Sequence, residues 1–149
     1  MNNYIDNNQD IIDSRDVVVR IEELKDERQS LVDGLHELQH ADHIDVLAVS
    51  DAQAKIEAWD HGDEEGYLLK DLMDFASEGE GYGDWQNGET LIRESYFMNY
   101  AQELAEDIGA IKPGAQWPYN CIDWERAANE LKIDYTELDF GGITYLMWA

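Results

Sequence analysis

The sequence predicts an α+β protein, predominantly α-helical: an N-terminal helical hairpin or coiled coil, then two helices and a C-terminal β-hairpin. Three observations predict it. Apolar residues recur at alternating spacings of four and three from Val17 to Leu38, further rows at helical spacing follow, and the final segment alternates around Gly141-Gly142.

Residues 1–12 are polar, rich in Asn and Asp and without a period, and read as a loose arm. Val17, Ile21, Leu24, Arg28, Leu31, Leu35 and Leu38 then form the heptad seam of a helix that packs on another helix. Asp13 or Ser14 is its cap, and Asp16 lies in the first turn, where the helix dipole favours an anion. The seam suits intrachain packing better than a dimeric coiled coil.

After a break at residues 40–43, a second row runs through Ile44, Leu47, Ala48, Ala52, Ile56 and Trp59, with Ser50 and Gln53 spaced as a capping box. Beyond Gly62, residues 64–77 carry Leu68, Leu69, Leu72, Met73 and Phe75, which suits a helix with one buried face. Together residues 13–78 form an acidic helical region. Residues 79–90 are rich in Gly and acids and read as a loop.

Residues 91–149 form a small α+β unit in one cooperative chain. Phe97, Tyr100, Ala101, Leu104 and Ile108 share a helix face, and Gly109 stands at the stop position. Lys112-Pro113-Gly114 forces a turn. Asp123 caps a further helix with Trp124, Ala127, Ala128 and Leu131 on its buried side. Tyr135–Phe140 and Ile143–Trp148 flank a two-residue glycine turn, the signature of a hairpin. Such a hairpin is marginal alone, so it packs on the preceding helices or joins further strands.

At 149 residues the chain fits one core, and 44% hydrophobic residues with five Trp and eight Tyr suffice to fold it. Charge is the outlier. Ten Lys and Arg against 34 Asp and Glu give 10 − 34 = −24, well past the magnitude of about 2–8 that solubility needs. Such a surface repels phosphate, which disfavours direct binding of nucleic acid or an anionic membrane, and it attracts proteins with basic grooves. A salt-adapted proteome is the alternative source of the charge.

Cys121 has no partner for an internal disulfide, the N-terminus lacks the pattern of a signal peptide, and no apolar run reaches membrane-spanning length. A reducing cytoplasm is the expected compartment, that of the host cell if the chain is phage-encoded.

Motifs for chemistry are absent: no phosphate loop, no Cys pair for zinc and no His-Glu-x-x-His pair. His36, His40 and His43 have spacings that a metal site uses, but a solvated helix end explains them better. The acids after Gly62 do not match the calcium-loop spacing. Cys121 reads as buried and inert, with no His nearby in sequence to act as its base. No catalytic residue, metal ligand or cofactor is expected, and the chain reads as a non-enzyme.

The acids are unevenly spread. Residues 61–90 hold nine (Asp63, Glu64, Glu65, Asp71, Asp74, Glu78, Glu80, Asp84 and Glu89) against Lys70 alone, 1 − 9 = −8. The expected partner-binding set is the first eight of these, with Glu22, Glu23, Asp26 and Glu27 of the first helix. Acids average one per about 4.4 residues, or about 6.6 Å along a helix and about 3.3 Å along a helix pair. One DNA strand carries a charge per roughly 3.4 Å.

Tyr100-Ala101-Gln102-Glu103-Leu104-Ala105-Glu106-Asp107-Ile108-Gly109, then Ile122-Asp123-Trp124-Glu125-Arg126-Ala127-Ala128-Asn129-Glu130-Leu131 and Asp139-Phe140-Gly141-Gly142-Ile143-Thr144-Tyr145, resemble the C-terminal domain of ArdA-type antirestriction proteins and related small acidic phage proteins. The resemblance covers about residues 94–147, and residues 13–77 lie outside it. It implies an elongated acidic DNA mimic, often dimeric, that occupies the DNA groove of a host defence nuclease or methyltransferase complex. Whether restriction–modification or CRISPR is the target stays open. The rival readings are a coiled-coil adaptor or assembly protein that binds a basic partner through the seam, a metal-dependent enzyme around the three His, and a halophilic acidic domain.

Overall fold

Three of the five α-helix starts follow from a local side-chain hydrogen bond. In the computed structural model, which describes residues 5–148, Asp13 accepts from the Arg15 amide and opens α1 (Ser14–Gln39). Asp45 accepts from the Leu47 and Ala48 amides and opens α2 (Val46–His61). Ser50 therefore lies inside the helix, and the Ser50/Gln53 capping box does not form. Asp63 precedes α3 (Glu64–Glu80), Tyr96 precedes α4 (Phe97–Asp107), and Asp123 accepts from the Arg126 amide at the start of α5 (Trp124–Leu131).

Four strands form one antiparallel sheet in the order β1-β2-β4-β3: β1 (Ile11–Asp13), β2 (Thr90–Arg93), β3 (Tyr135–Phe140) and β4 (Ile143–Trp148). Gly141 and Gly142 have φ of +57° and +88°, the left-handed pair that a two-residue hairpin turn demands. The C-terminal hairpin thus joins further strands and packs on helices as well.

The segment read as a loose arm is tied down. Ile5 and Ile12 are buried, Ile12 pairs with Leu91, and the Arg93 amide donates to the Asp10 carbonyl. Residues 1–4 lie outside the described residues. The Gly-rich stretch 79–90 also divides differently, because α3 runs through Gly79 and Glu80 and β2 begins at Thr90. Trp85, between them, is buried against Phe75 at 5.8 Å. The buried indole and the hydrogen bonds of the Ser14 hydroxyl, donated to the Trp85 carbonyl and accepted from the Glu89 amide, anchor the loop to the core.

Alternation along the strands divides the core in two. Leu91, Leu138, Phe140, Tyr145 and Met147 pack with Val17, Leu24, Trp59, Leu69, Leu72 and Phe75, which come from α1, α2 and α3. On the opposite face, Ile92 and Leu146 pack with Phe97, Ala101 and Ala128 from α4 and α5. Adjacent β4 residues thus serve different cores, as a period of two requires. Helices cover both faces.

The heptad seam is answered within the chain. Val17 and Leu24 are buried, Ile21 and Leu31 pack against the same core, and Arg28 pairs with Asp60 of α2. Its distal part is only half-buried, as Leu35 and Leu38 show, and α2 buries Trp59 alone. Residues 32–56 therefore make an arm of two helices whose tip exposes Ile44, Val46 and Leu47.

Three local expectations fail. Met73 and Ile108 are exposed instead of buried, since Met73 stands at the rim of the apolar stripe of α3 and Ile108 lies past the last residue of α4. Cys121 is exposed rather than buried, because it sits in the connection between α4 and α5, outside both cores.

Candidate functional site: an acidic face along α3

Burial of Leu69, Leu72, Phe75, Ala76 and Gly79 fixes the rotation of α3. With that face inward, Glu64, Asp71, Asp74 and Glu78 fall on one outer flank at spacings of seven, three and four. The apolar period thereby sets the acidic one.

The flank continues onto the sheet edge. Glu78 Oε2 accepts from the Asp139 amide at 3.1 Å, which joins α3 to β3 across 61 residues of sequence. Asp71 is half-buried beside the Gly141 turn, where a Cβ on Gly141 would lie 2.9 Å from Asp71 Oδ2. Burial, then the charges of Asp74 and Asp139, push the Asp71 carboxyl above the usual range, with Lys70 opposing. The shift reflects crowded negative charge that has lost part of its hydration.

At the other end, Arg20 pairs with two acids of its own helix. Its Nη1 lies 3.1 Å from Glu23 and 3.9 Å from Glu27. Its side chain also lines a hollow of about 200 Å³ with Asp6, Glu64 and Glu65. One guanidinium thus pairs with two carboxylates beside a hollow that three more line.

Of the twelve residues expected from sequence, the structure brings Glu64, Asp71, Asp74 and Glu78 into this line, while Glu65 turns about 100° away to line the Arg20 hollow and Glu23 and Glu27 pair with Arg20 on α1. Asp63 stands at the start of the line, preceding the first turn of α3. Glu22 and Asp26 point from the outer side of α1, opposite Leu24. Glu80 and Asp84 line a separate hollow with Trp85 and Asn87, where the Asp84 carbonyl accepts from the Asn87 and Gly88 amides. Asp84 is a turn former. Asp6 and Asp139 were missed: Asp6 lies in the apparent arm, and Asp139 reads only as the solvent side of a strand.

Among the described residues, Glu23 and Glu27 are the only members of the twelve in an ion pair. The other Arg pairs engage Asp13, Asp60 and Glu130. Most of the line is therefore left without a neutralising partner in the protein.

Other chemistry is sparse. Among the described residues no group of three or more His, Cys, Asp or Glu converges as metal ligands, so His36, His40 and His43 do not assemble a three-His centre. A cleft of about 460 Å³ between Gly109, Ile111, Lys112, Gln116 and Tyr119 holds no carboxylate, imidazole or thiol to work as a general base. No described helix is long and apolar enough to cross a membrane. Comparison with protein-family models, with curated proteins and with solved structures finds no match to this chain.

Proposed function

We propose that this chain is an acidic inhibitor that imitates nucleic acid and occupies the basic groove of a host DNA-binding defence complex, of the restriction–modification or CRISPR kind. The observation that carries the proposal is the unpaired line of carboxylates along α3 and onto β3. Glu64, Asp71, Asp74, Glu78 and Asp139 are five charges over the 14-residue rise from Glu64 to Glu78, about 21 Å at about 1.5 Å per residue. That is one per roughly 4 Å, of the same order as the roughly 3.4 Å of a single DNA strand.

Mimicry of this kind needs no catalysis and no cofactor. Carboxylates already positioned by a folded helix bind without the ordering cost that a disordered acidic tail would incur. The net charge of −24 steers a basic partner from a distance, and the fixed line then competes with its nucleic acid. The ArdA-like residues of α4, α5 and the hairpin support the same reading, and the site of action it implies is the host cytoplasm.

A second reading is favoured by the arm. Its half-buried seam and the exposed Ile44, Val46 and Leu47 suit an adaptor that associates through apolar contacts.

The deciding experiment is a pull-down from host lysate at about 0.05 M and about 0.5 M salt, a range over which the screening length falls from above 10 Å to a few Å. The wild-type chain is compared with a variant carrying Asp63→Asn, Glu64→Gln, Glu65→Gln, Asp71→Asn and Asp74→Asn. Mimicry predicts a DNA-processing complex that high salt, duplex DNA or the neutralised variant displaces. A partner insensitive to all three rejects mimicry, and its loss on Val46→Ser with Leu47→Ser selects the adaptor.

A further inference from the structure

The arm of α1 and α2 is a hairpin without an interior. No residue between Leu24 and Trp59 is fully buried. On α1 the row Leu31, Leu35 and Leu38 stays half-buried, and so does the row Ala48, Ala52 and Ile56 on α2, although the two helices pack on each other. At the tip, Ile44 and Leu47 are exposed. Both rows follow the spacing of a stripe that normally faces a core. Two helices in contact cover each other's stripe from one side only, and a third helix laid along the seam covers the other side.

The charge of the arm selects that third helix. Residues 32–56 hold the acids Asp33, Glu37, Asp42, Asp45 and Asp51 against Lys55, 1 − 5 = −4. Among the described residues none of these acids enters an ion pair. We infer that the arm is a groove for a basic amphipathic helix of a partner protein, which lays apolar side chains on the half-buried rows and Lys or Arg against the acids beside them. A helix suits the seam better than an extended segment, because it satisfies its own backbone over an apolar surface. The rise from Val46 to Ile56 is about 15 Å at about 1.5 Å per residue, room for about three turns. A second copy of this chain is disfavoured, since it would set −4 against −4 at the arm and −24 against −24 overall. Such a partner presupposes the adaptor reading of the arm and gives its chemistry, while the acidic line of α3 takes no part in holding it.

The test uses a labelled peptide of about 12 residues, built from Leu and Lys with Leu at helical spacing, and a control of the same composition with that spacing scrambled. Both carry the same charge, so a difference between them reads the apolar rows. At about 0.15 M salt, fluorescence anisotropy should show the helical peptide bound at least about ten-fold more tightly than the control, the worth of one buried apolar side chain. Amide hydrogen exchange should slow within residues 32–56. Ile44→Ser with Leu47→Ser, at exposed positions and with matching far-UV circular dichroism, should weaken the helical peptide toward the control, while the variant neutralised along α3 keeps the preference. Equal affinity for the two peptides, slowed exchange on α3 instead of the arm, or a preference lost with the acids of α3 overturns the groove. If Val46→Ser with Leu47→Ser releases the lysate partner while the peptides bind alike, the adaptor reading stands and the basic helix fails. A wild-type chain that sediments as a dimer with its arm amides already protected puts a second copy in the groove and likewise overturns it.

Discussion

Arg28 of α1 and Asp60 of α2 meet in a two-point ion pair, Nε to Oδ1 at 2.7 Å and Nη2 to Oδ2 at 2.9 Å. Arg28 occupies a seam position where an apolar residue would be the rule, so the hairpin closes there through a planar fork instead of a methyl group. Its guanidinium holds the Asp60 carboxyl below the usual range. A lowered folded value means stabilisation that is complete above the ordinary aspartate range and lost as pH falls through the folded value. Both side chains are partly exposed, which limits the pair to about 0.5–1 kcal/mol. A double-mutant cycle with Arg28→Ala and Asp60→Ala should return that coupling near pH 7 and almost none near pH 2.

Asp71→Asn should raise the melting temperature at neutral pH. Burial and the neighbouring Asp74 and Asp139 raise the Asp71 carboxyl, so ionised Asp71 costs stability above its folded value and ceases to do so once protonated. The gain should therefore vanish on acidification. If the proposed mimicry holds, the same change should weaken binding of the basic partner, so one substitution would stabilise the fold while it impairs that function. Thermal melts at two pH values and a binding titration measure the two effects.

Gly79→Ala should destabilise the fold by about 1–3 kcal/mol, the range for overpacking a filled core. A Cβ on Gly79 would lie 2.2 Å from the Trp85 ring. The indole is buried and has little room to yield. Denaturation in urea, followed by tryptophan fluorescence, reports the loss.

Tyr145→Phe should cost about 1 kcal/mol, the usual net worth of a hydrogen bond. Its hydroxyl donates to the Gln9 carbonyl at 2.5 Å and ties the segment before β1 to β4. Burial, with Asp6 and Asp10 nearby, pushes Tyr145 up to about 12 although Arg93 opposes the shift. A raised folded value gives stabilisation that is complete below about 10 and lost as pH rises from about 10 toward 12. Alkaline denaturation should begin earlier for the wild type than a chain with an ordinary tyrosine difference would allow, and Tyr145→Phe should remove that dependence.

Elements with a long period or a strong local signal were legible in the sequence. The α1 seam needed only its spacing, Asp13 and Asp123 act on amides two or three residues away, and Gly141-Gly142 supplies positive φ without distant help. β1 and β2 were not legible. Each is three or four residues long, too short to display alternation, and each becomes a strand only because its amides and carbonyls find partners far along the chain. For the same reason Trp85 looked like part of a loop until Phe75 and Gly79 enclosed it.

The candidate site divides along the same line. By itself the sequence determined that the chain is acidic and rich in helix, and that residues 61–90 hold most of their charge with one sign, because composition and helical period are properties of neighbouring residues. Only the tertiary structure decided which acids share a surface. The buried face of α3 set the rotation that aligns Glu64, Asp71, Asp74 and Glu78. Pairing of β3 with β4 brought Asp139 to Glu78, and packing of α3 brought Glu64 and Glu65 to the hollow that Arg20 lines. Those choices follow from burying apolar surface across long loops, a cooperative condition on the whole chain that no local pattern encodes.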